Sequence, residues 1–329
     1  MRVRTAVPLL VLMAAAGGLT WLAVSPAPAV QAGPLVVDIP AHEGLREIAD
    51  RLSEAGVIRS RLAFVGLAAA RGNVRRLKAG EYEVPRDAST LDVLSLLESG
   101  HVRQHLILHP EGATVSELAR ALEAERLARA DEVTHAASDE RLRHALGIEG
   151  PSVEGYLFPD TYQFVRGMSV DEMLTRMVQR MRGKLTPEIL ARAQARGLTP
   201  HRLLTLASII EREAIEPEER RLISAVFWNR LRLDMPLQAD PTVQYAVAKE
   251  RRALTRADLA TDTPYNTYLH RGLPPGPIAS PGLAAIEAAL DPAPVKYLYF
   301  VARDDRRHQF STTAAEHNAA VARYRLSRR

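Results

Sequence analysis

Two glutamates lie two residues apart at the end of an apolar stretch, residues 199–214 (TPHRLLTLASIIEREA). At about 100° per residue in a helix, Glu211 falls on one edge of the apolar arc and Glu213 on the other. A carboxyl group half sunk among leucine and alanine side chains has its ionised form disfavoured, so it can hold a proton near neutral pH and act as a general acid. Periodicity does not choose between the two residues, and a solvated Glu-Arg-Glu rim at a helix end is the alternative interpretation.

Three further segments combine acidic groups with aromatic or polar side chains. Residues 237–246 (LQADPTVQYA) contain Asp240, which is also placed to cap a helix over Pro241. Residues 262–282 (DTPYNTYLHRGLPPGPIASPG) form a long irregular segment, which inside a compact domain is usually a functional loop. Its tyrosine, asparagine and threonine side chains suit a wall for sugar rings, whereas its prolines remove the backbone N–H donors that a phosphate site needs. Residues 154–162 (EGYLFPDTY) form another such loop, for which a packing corner is the alternative.

The composition narrows the chemistry further. The 329 residues include no cysteine, which excludes thiolate nucleophiles, cysteine-ligated zinc, iron–sulfur clusters and disulfides. His101, His105 and His109 are four residues apart, but their surroundings favour a strand, on which four residues span about 13 Å, too far to share an ion. We therefore expect neither a metal nor a cofactor. The net charge of +4 is mildly basic and does not suggest a nucleic-acid partner.

The remaining pattern predicts an α+β fold in which helices dominate. Residues 35–39 read as a strand that ends at Pro40, and apolar residues then recur at helical spacing. The same register returns 70 residues later at Pro110, with Glu117 matching Glu47. We predict two similar strand–proline–helix units that pack together in one α+β region.

Helix starts and one hairpin are also predicted locally. Residues 296–302 and 308–311 read as the two strands of a hairpin. Capping pairs, and capping residues that directly precede a proline, predict helix starts. They occur at Ser169 with Glu172, Thr313 with Glu316, Thr186 with Pro187, Thr199 with Pro200, Asp240 with Pro241, Ser280 with Pro281, and Asp291 with Pro292.

The N-terminus carries an uncharged run, residues 5–24 (TAVPLLVLMAAAGGLTWLAV), preceded by Arg2 and Arg4. Twenty residues of helix span roughly 30 Å, the thickness of a bilayer core, and the arginines favour a cytoplasmic N-terminus. We predict a retained transmembrane anchor, followed by an alanine- and proline-rich linker at residues 25–34. A cleaved signal peptide is the alternative, since small residues lie near Ala32.

Taken in chain order, these segments resemble the YceG-like family of endolytic murein transglycosylases. The resemblance rests on EGYLFPDTY, ASIIEREA, LQADPTVQYA, YNTYLHRGLPPGPIASPG and the closing YLYFVA, HQFS and EHN, and it covers nearly everything beyond Val36. It implies a single-pass protein of the bacterial inner membrane with its catalytic part on the outer side. The implied organisation is an anchor at residues 1–24, the linker, a small LysM-like α+β module at residues 35–103 and a catalytic domain at residues 104–329. One departure is that charged residues 304–307 stand where relatives have glycines before the motif histidine, His308.

The resemblance also implies roles for individual residues. The first glutamate of the family motif is the catalytic acid, which corresponds to Glu211. A lytic transglycosylase needs one carboxyl, which protonates the leaving oxygen and then takes the proton of the muramyl 6-hydroxyl as a 1,6-anhydro ring closes. The residues expected to orient the sugars are Gln238, Asp240, Tyr265, Asn266, Thr267 and Tyr268. The implied partners are peptidoglycan strands, the inner membrane and, as candidates, peptidoglycan synthases.

Two other functional classes remain open from the residues alone. A hydrolytic muramidase would use water and a second carboxylate, for which Asp240 and Glu154 are candidates. A non-catalytic wall-binding scaffold would rely on the LysM-like module and leave Glu211 without a chemical role.

Overall fold

The computed structural model describes residues 17–18, 20–27, 33–72, 77–249, 252–304 and 306–327. Its strands pair two by two, β1 (Leu35–Ile39) with β2 (Gly80–Val84), β3 (Gln104–His109) with β4 (Asp160–Val165), and β5 (Tyr299–Ala302) with β6 (His308–Ser311). Its helices span Leu45–Glu54, Arg61–Ala70, Thr90–Ser99, Val115–Ala124, Ala130–Ser138, Glu140–Ala145, Val170–Lys184, Pro187–Ala195, Pro200–Glu213, Arg220–Arg232, Asp240–Ala246, Arg256–Leu259, Leu283–Leu290 and Ala314–Ser327, with a 3₁₀ turn at Pro217–Glu219. The predicted α+β class is confirmed.

Most of the predicted anchor, residues 5–24, lies outside the described residues. Among those that are described, no helix is both long enough and apolar enough to cross a bilayer. The anchor therefore stays a prediction.

The chain divides into two compact units. The N-terminal unit contains the described residues up to Leu106 together with Gln163–Met168, and the C-terminal unit contains Ile107–Tyr162 and Ser169–Arg329.

The N-terminal unit is built on the antiparallel pair β1 and β2, in which Leu35 lies opposite Val84 and Ile39 opposite Gly80. The helices that follow place their apolar faces in one core with Ile39, Ile48, Leu52, Phe64, Tyr82, Leu94 and Leu97. The Tyr82 hydroxyl donates to the Lys78 carbonyl at 2.7 Å, and burial raises its pKa to about 12. The predicted strand–proline–helix unit at Pro40 is confirmed.

The predicted repeat is confirmed at the level of local structure. The prediction that its two units pack together in one region is wrong. Both helices begin in the same way, because Glu47 accepts the Gly44 N–H at 2.7 Å and Glu117 accepts the Thr114 N–H at 2.9 Å. The second helix, however, belongs to the C-terminal unit, where it packs against Ala130–Ser138. Caps are encoded within a few residues, whereas an apolar helix face packs on any complementary surface that the rest of the chain supplies.

The histidines of the segment predicted as a strand have partners within the protein. Residues 104–109 form β3, as predicted. The His105 Nε2 lies 2.6 Å from a carboxylate oxygen of Glu81, and the His109 Nε2 lies 2.8 Å from the Ser280 hydroxyl. Both rings are buried, so each is engaged in the interior of its own unit.

The C-terminal unit is centred on the helix Pro200–Glu213, here called the acid helix. Thr199 caps it by accepting the Arg202 N–H at 3.2 Å, as predicted. Every residue from Leu203 to Glu211 is buried, because Pro187–Ala195, Arg220–Arg232 and Leu283–Leu290 all pack against this helix. The predicted hairpin is confirmed as β5 and β6, with Ala302 opposite His308, and so are the helix starts at Ser169, Thr186 and Thr313. The helix starts predicted at Ser280 and Asp291 are wrong, because the helix Leu283–Leu290 begins after Gly282 and Asp291 stands at its C-terminal end.

Candidate active site

An open cavity of about 580 Å³ lies at the C-terminal end of the acid helix. Its titratable and charged lining residues are Glu111, Glu211, Arg212, Glu213, Asp240 and His308. A cavity of this size, with several convergent polar groups, is the usual form of a binding site for a small ligand or a sugar unit.

Glu211 is held by two donors from different parts of the chain. Its side chain is 5% exposed, one carboxylate oxygen accepts the Gly282 N–H at 2.9 Å, and the other lies 3.3 Å from Nη2 of Arg220. The same Nη2 lies 3.9 Å from the Glu111 carboxylate, so Arg220 stands between two acids. This arrangement fixes the position of the Glu211 carboxyl, which is what an acid catalyst requires.

Glu111 belongs to the same cluster. Burial raises its pKa, the negative charge of Glu211 raises it further, and Arg220 opposes both effects. A side chain at position 282 would overlap the Glu111 carboxyl where it now lies, so the glycine allows this carboxyl to approach the Gly282 backbone closely. Sequence reasoning missed Glu111 and Arg220, because Glu111 stands in a short Pro-Glu-Gly turn and Arg220 in the charged run 216–221, and both patterns look like ordinary solvated surface.

The segment that carries Gly282 is fixed by a network behind it. The Ser280 N–H donates to the Ala113 carbonyl and the Gly112 N–H donates to the Ser280 carbonyl, both at 2.8 Å. The His109 ring adds a hydrogen bond to the Ser280 hydroxyl, and burial lowers the pKa of this imidazole to about 4. A neutral ring is therefore part of the support that positions the Gly282 N–H on Glu211.

Glu213 lines the same cavity but has a different environment. It is half-buried, and within the described part of the chain its carboxyl accepts no hydrogen bond. Burial, assisted by the charge of Asp240, raises its pKa to about 8 against the opposing charges of Arg230 and Arg212. Both glutamates of the motif therefore reach the cavity, Glu211 as a fixed carboxyl and Glu213 as one that holds its proton at neutral pH.

Asp240 lies on the rim of the cavity with Tyr268. The Tyr268 hydroxyl donates to the Asp240 carboxylate at 2.6 Å. Burial and the charge of Asp240 raise the Tyr268 pKa. The interpretation of Asp240 as a helix cap is wrong, since Ala239 occupies the cap position and no side chain caps this helix. The Asp240 carboxylate accepts the Tyr268 hydroxyl instead of a backbone N–H of the helix, and it is exposed at the cavity.

Gln238 lies in a turn that Arg230 organises. Its φ of +50° is uncommon for a residue other than glycine, and such conformations concentrate at functional sites. The buried Arg230 donates to the Leu237 carbonyl at 2.8 Å and to the Gln238 side-chain oxygen at 3.2 Å. Arg230 carries no signal in the sequence, because it is one of several arginines on an amphipathic helix.

Comparisons with known proteins show the family to which the chain belongs. The sequence profile of the YceG-like family matches residues 37–323. The chain belongs to the YceG-like family. An endolytic murein transglycosylase of Bacillus subtilis is 34% identical over 304 residues, which are 88% of this chain and 84% of that protein. One of Streptococcus pneumoniae serotype 2 is 32% identical over 322 residues, which are 88% of this chain but 58% of that longer protein. The crystal structure of a YceG-like protein from Listeria monocytogenes has 33% identity and a TM-score of 0.62, and the match covers 87% of this chain and 98% of that one.

Two of the residues expected to contact sugars lie in the interior of this YceG-like chain. The Asn266 amide donates to the carbonyls of Leu259 at 2.9 Å and Thr261 at 2.8 Å. The Thr267 hydroxyl accepts the Ala239 N–H at 3.0 Å. The Thr267 bond holds the loop of residues 262–282 against the segment that carries Asp240, and the Asn266 bonds tie the loop to the residues that precede it. Both are positioning roles. Direct contact of either side chain with a sugar stays a prediction.

Glu154 lines a separate cavity of about 240 Å³, together with Arg212 and Tyr245. Both of its carboxylate oxygens lie within 3.2 Å of the Val115 N–H, and burial raises its pKa to about 8. The Tyr265 ring packs on Tyr245 with centroids 5.1 Å apart. The structure therefore brings Asp240, but not Glu154, to the cavity of Glu211.

Proposed function

We propose that this YceG-like chain is a lytic transglycosylase that cuts within murein glycan strands. The observation that carries the proposal is the Glu211 carboxyl, which is buried, held by Gly282 and Arg220, and open to a cavity of about 580 Å³. The relatives from Bacillus subtilis and Streptococcus pneumoniae that bear the name endolytic murein transglycosylase support this substrate class.

The reaction breaks the β-1,4 bond between N-acetylmuramic acid and N-acetylglucosamine. Glu211 in its protonated form gives a proton to the leaving oxygen as the bond to the muramyl C1 breaks. The muramyl 6-hydroxyl oxygen then bonds to C1, and its proton is removed to a base. In the simplest scheme that base is the Glu211 carboxylate, which Gly282 and Arg220 stabilise between the two transfers. No water is consumed.

The groups around the cavity suit sugar binding. Asp240 is an exposed side chain that lines the cavity, where it would orient polar groups of the strand, and Tyr268 fixes its carboxylate. Gln238 is exposed two residues before Asp240, and Tyr265 packs on Tyr245, which lines the cavity of Glu154. Sugar contacts of Gln238 and Tyr265 therefore stay predictions. Such positioning accounts for much of the rate enhancement of glycan-cleaving enzymes.

The products of the wild-type protein test this proposal. Digestion of purified sacculi should release fragments that end in 1,6-anhydro-muramic acid, which mass spectrometry distinguishes because each is lighter by one water than a reducing-end fragment. Reducing ends would instead support a muramidase, for which Asp240 on the same cavity is the candidate second carboxylate. Intact sacculi would support a wall-binding scaffold.

We also propose that the protein is anchored in the inner membrane, with residues 35–103 as a LysM-like module that binds glycan near the bilayer. Arg2, Arg4 and the uncharged residues 5–24 support an N-terminus on the cytoplasmic side. This placement would confine cutting to new strands, close to peptidoglycan synthases.

The anchor can be tested by the intact mass of the protein extracted from membranes. We expect the N-terminal segment to be retained, because the uncharged run is longer than the apolar core of a signal peptide. A mature chain that begins near Gln31 or Gly33 would contradict this expectation.

A further inference from the structure

His308 is bound twice by one carboxylate. Its backbone N–H donates to one oxygen of Glu219 at 2.9 Å, and its ring Nδ1 lies 2.7 Å from the other. Glu219 is 9% exposed and ends the turn Pro217–Glu219. The two contacts fix both the start of strand β6 and the plane of the imidazole ring.

The ring is also held by its neighbours and faces the cavity. It packs edge-on against Phe300, with centroids 5.3 Å apart and planes at 84°, and Phe310 lies on another side. The side chain is 12% exposed and lines the same cavity as Glu211. No described residue hydrogen-bonds its second nitrogen, Nε2. A carboxylate on Nδ1 holds the ring proton there, so Nε2 is left as a proton acceptor.

Glu211 and His308 differ in the groups that already contact them. Both oxygens of Glu211 accept hydrogen bonds, one from Gly282 and one from Arg220. Among the described residues, no group hydrogen-bonds Nε2 of His308, so this nitrogen is open to the hydroxyl of a bound sugar. The cavity thus holds one fixed acid and one oriented base.

We propose that His308, oriented by Glu219, is the base that takes the proton of the muramyl 6-hydroxyl, a role that rests on the proposed transglycosylase function. The O6–H bond breaks, its electron pair forms the bond from O6 to C1, and the proton goes to Nε2. The bond from C1 to the leaving oxygen breaks with its electron pair on that oxygen, which takes the proton of Glu211. Transfer of the proton from the imidazolium to the Glu211 carboxylate restores both residues.

The first test is His308→Gln, with soluble uncrosslinked glycan strands as the substrate. We expect kcat to fall about 100-fold or more with KM within about threefold, as for loss of a general base. We also expect the residual products to contain a larger share of reducing ends. Glu211 still protonates the leaving oxygen, and without the base water competes with the muramyl 6-hydroxyl for C1. The exposed His144 supplies the control, since its ring pairs with Glu140 on the same helix and lines no cavity described above. His144→Gln should keep wild-type rates and products.

The second test leaves the histidine in place. In Glu219→Gln the amide oxygen can still accept the His308 backbone N–H, but the amide nitrogen donates to Nδ1 and so forces the ring proton onto Nε2. An amide in place of the orienting carboxylate therefore selects the wrong tautomer. We expect kcat to fall nearly as far as in His308→Gln and the product mixture to shift in the same direction, while Glu219→Asp recovers part of the rate.

The outcomes separate this inference from the proposed function. Wild-type kcat and products in both His308→Gln and Glu219→Gln, or a change in KM alone, would overturn the role of His308 and leave the transglycosylase intact. Reducing ends from the wild-type protein would overturn the function itself. Matching thermal unfolding of the variants and the wild type excludes misfolding as the cause of a lost rate, and the share of reducing ends reports on the base even in a poorly active variant.

Discussion

Replacement of Glu211 by glutamine is expected to leave the fold intact and to lower glycan cleavage by about 1,000-fold or more. Glutamine keeps an oxygen that accepts the Gly282 N–H, and it occupies the same buried space. It has no proton to give to the leaving oxygen, so the bond to the muramyl C1 must break without acid assistance. The measurement is the release of muropeptides from purified sacculi, with circular dichroism and thermal unfolding as checks of the fold.

Glu213→Gln is the matched control, because it makes the same change two residues away on the same helix and the same cavity. The pKa of Glu213 is raised to about 8, so this side chain is already neutral at pH 7 and glutamine imitates it. We expect most of the activity to remain. An active Glu211→Gln together with an inactive Glu213→Gln would transfer the acid role to Glu213, and wild-type activity would then fall as the pH rises through about 8.

Glu154→Gln is expected to change how stability depends on pH. Glu154 is 3% exposed, and burial raises its pKa from 4.5 in the unfolded chain to about 8 in the fold. Between these values the folded protein binds more protons than the unfolded chain, so the free energy of unfolding of the wild type falls as the pH rises from about 4.5 to about 8. The slope is about 1.4 kcal/mol per pH unit midway and smaller close to each pKa, so the loss is on the order of 4 kcal/mol.

Urea unfolding at pH 4.5, 6, 7 and 8.5 measures this dependence. Glutamine is neutral at every pH tested, so the free energy of unfolding of the variant should not show this loss as the pH rises. The variant should be more stable than the wild type at pH 8.5. The exposed Glu149 offers a control of the same chemistry, and Glu149→Gln should follow the wild-type curve. Parallel curves for the wild type and Glu154→Gln would show that this carboxyl is not protonated preferentially in the fold.

Local chemistry predicted much of the secondary structure. The capping pairs at Ser169 and Thr313 and the threonine–proline steps predicted helix starts that the structure confirms, because a cap depends on side chains three residues away. The turn before His308 is formed despite its charged residues, since the Asp304 carboxylate accepts the N–H groups of Arg306 and Arg307 at 2.9 and 2.8 Å. The helix cap predicted at Asp240 was wrong, because its carboxylate binds Tyr268, a residue far along the chain.

Short-range patterns in the sequence were enough to predict the α+β class, many of the helix and strand positions, and the motifs that identify the family. They also placed Glu211 and Glu213 on the edges of one helix. Their surroundings depend on tertiary packing. Arg220 and Gly282 contact Glu211, and Glu111 and His308 line the same cavity. These residues come from four separate segments, and short-range patterns do not encode their convergence. The contacts that fix Glu211, and the burial and Asp240 charge that raise the pKa of Glu213, also arise only in the folded chain.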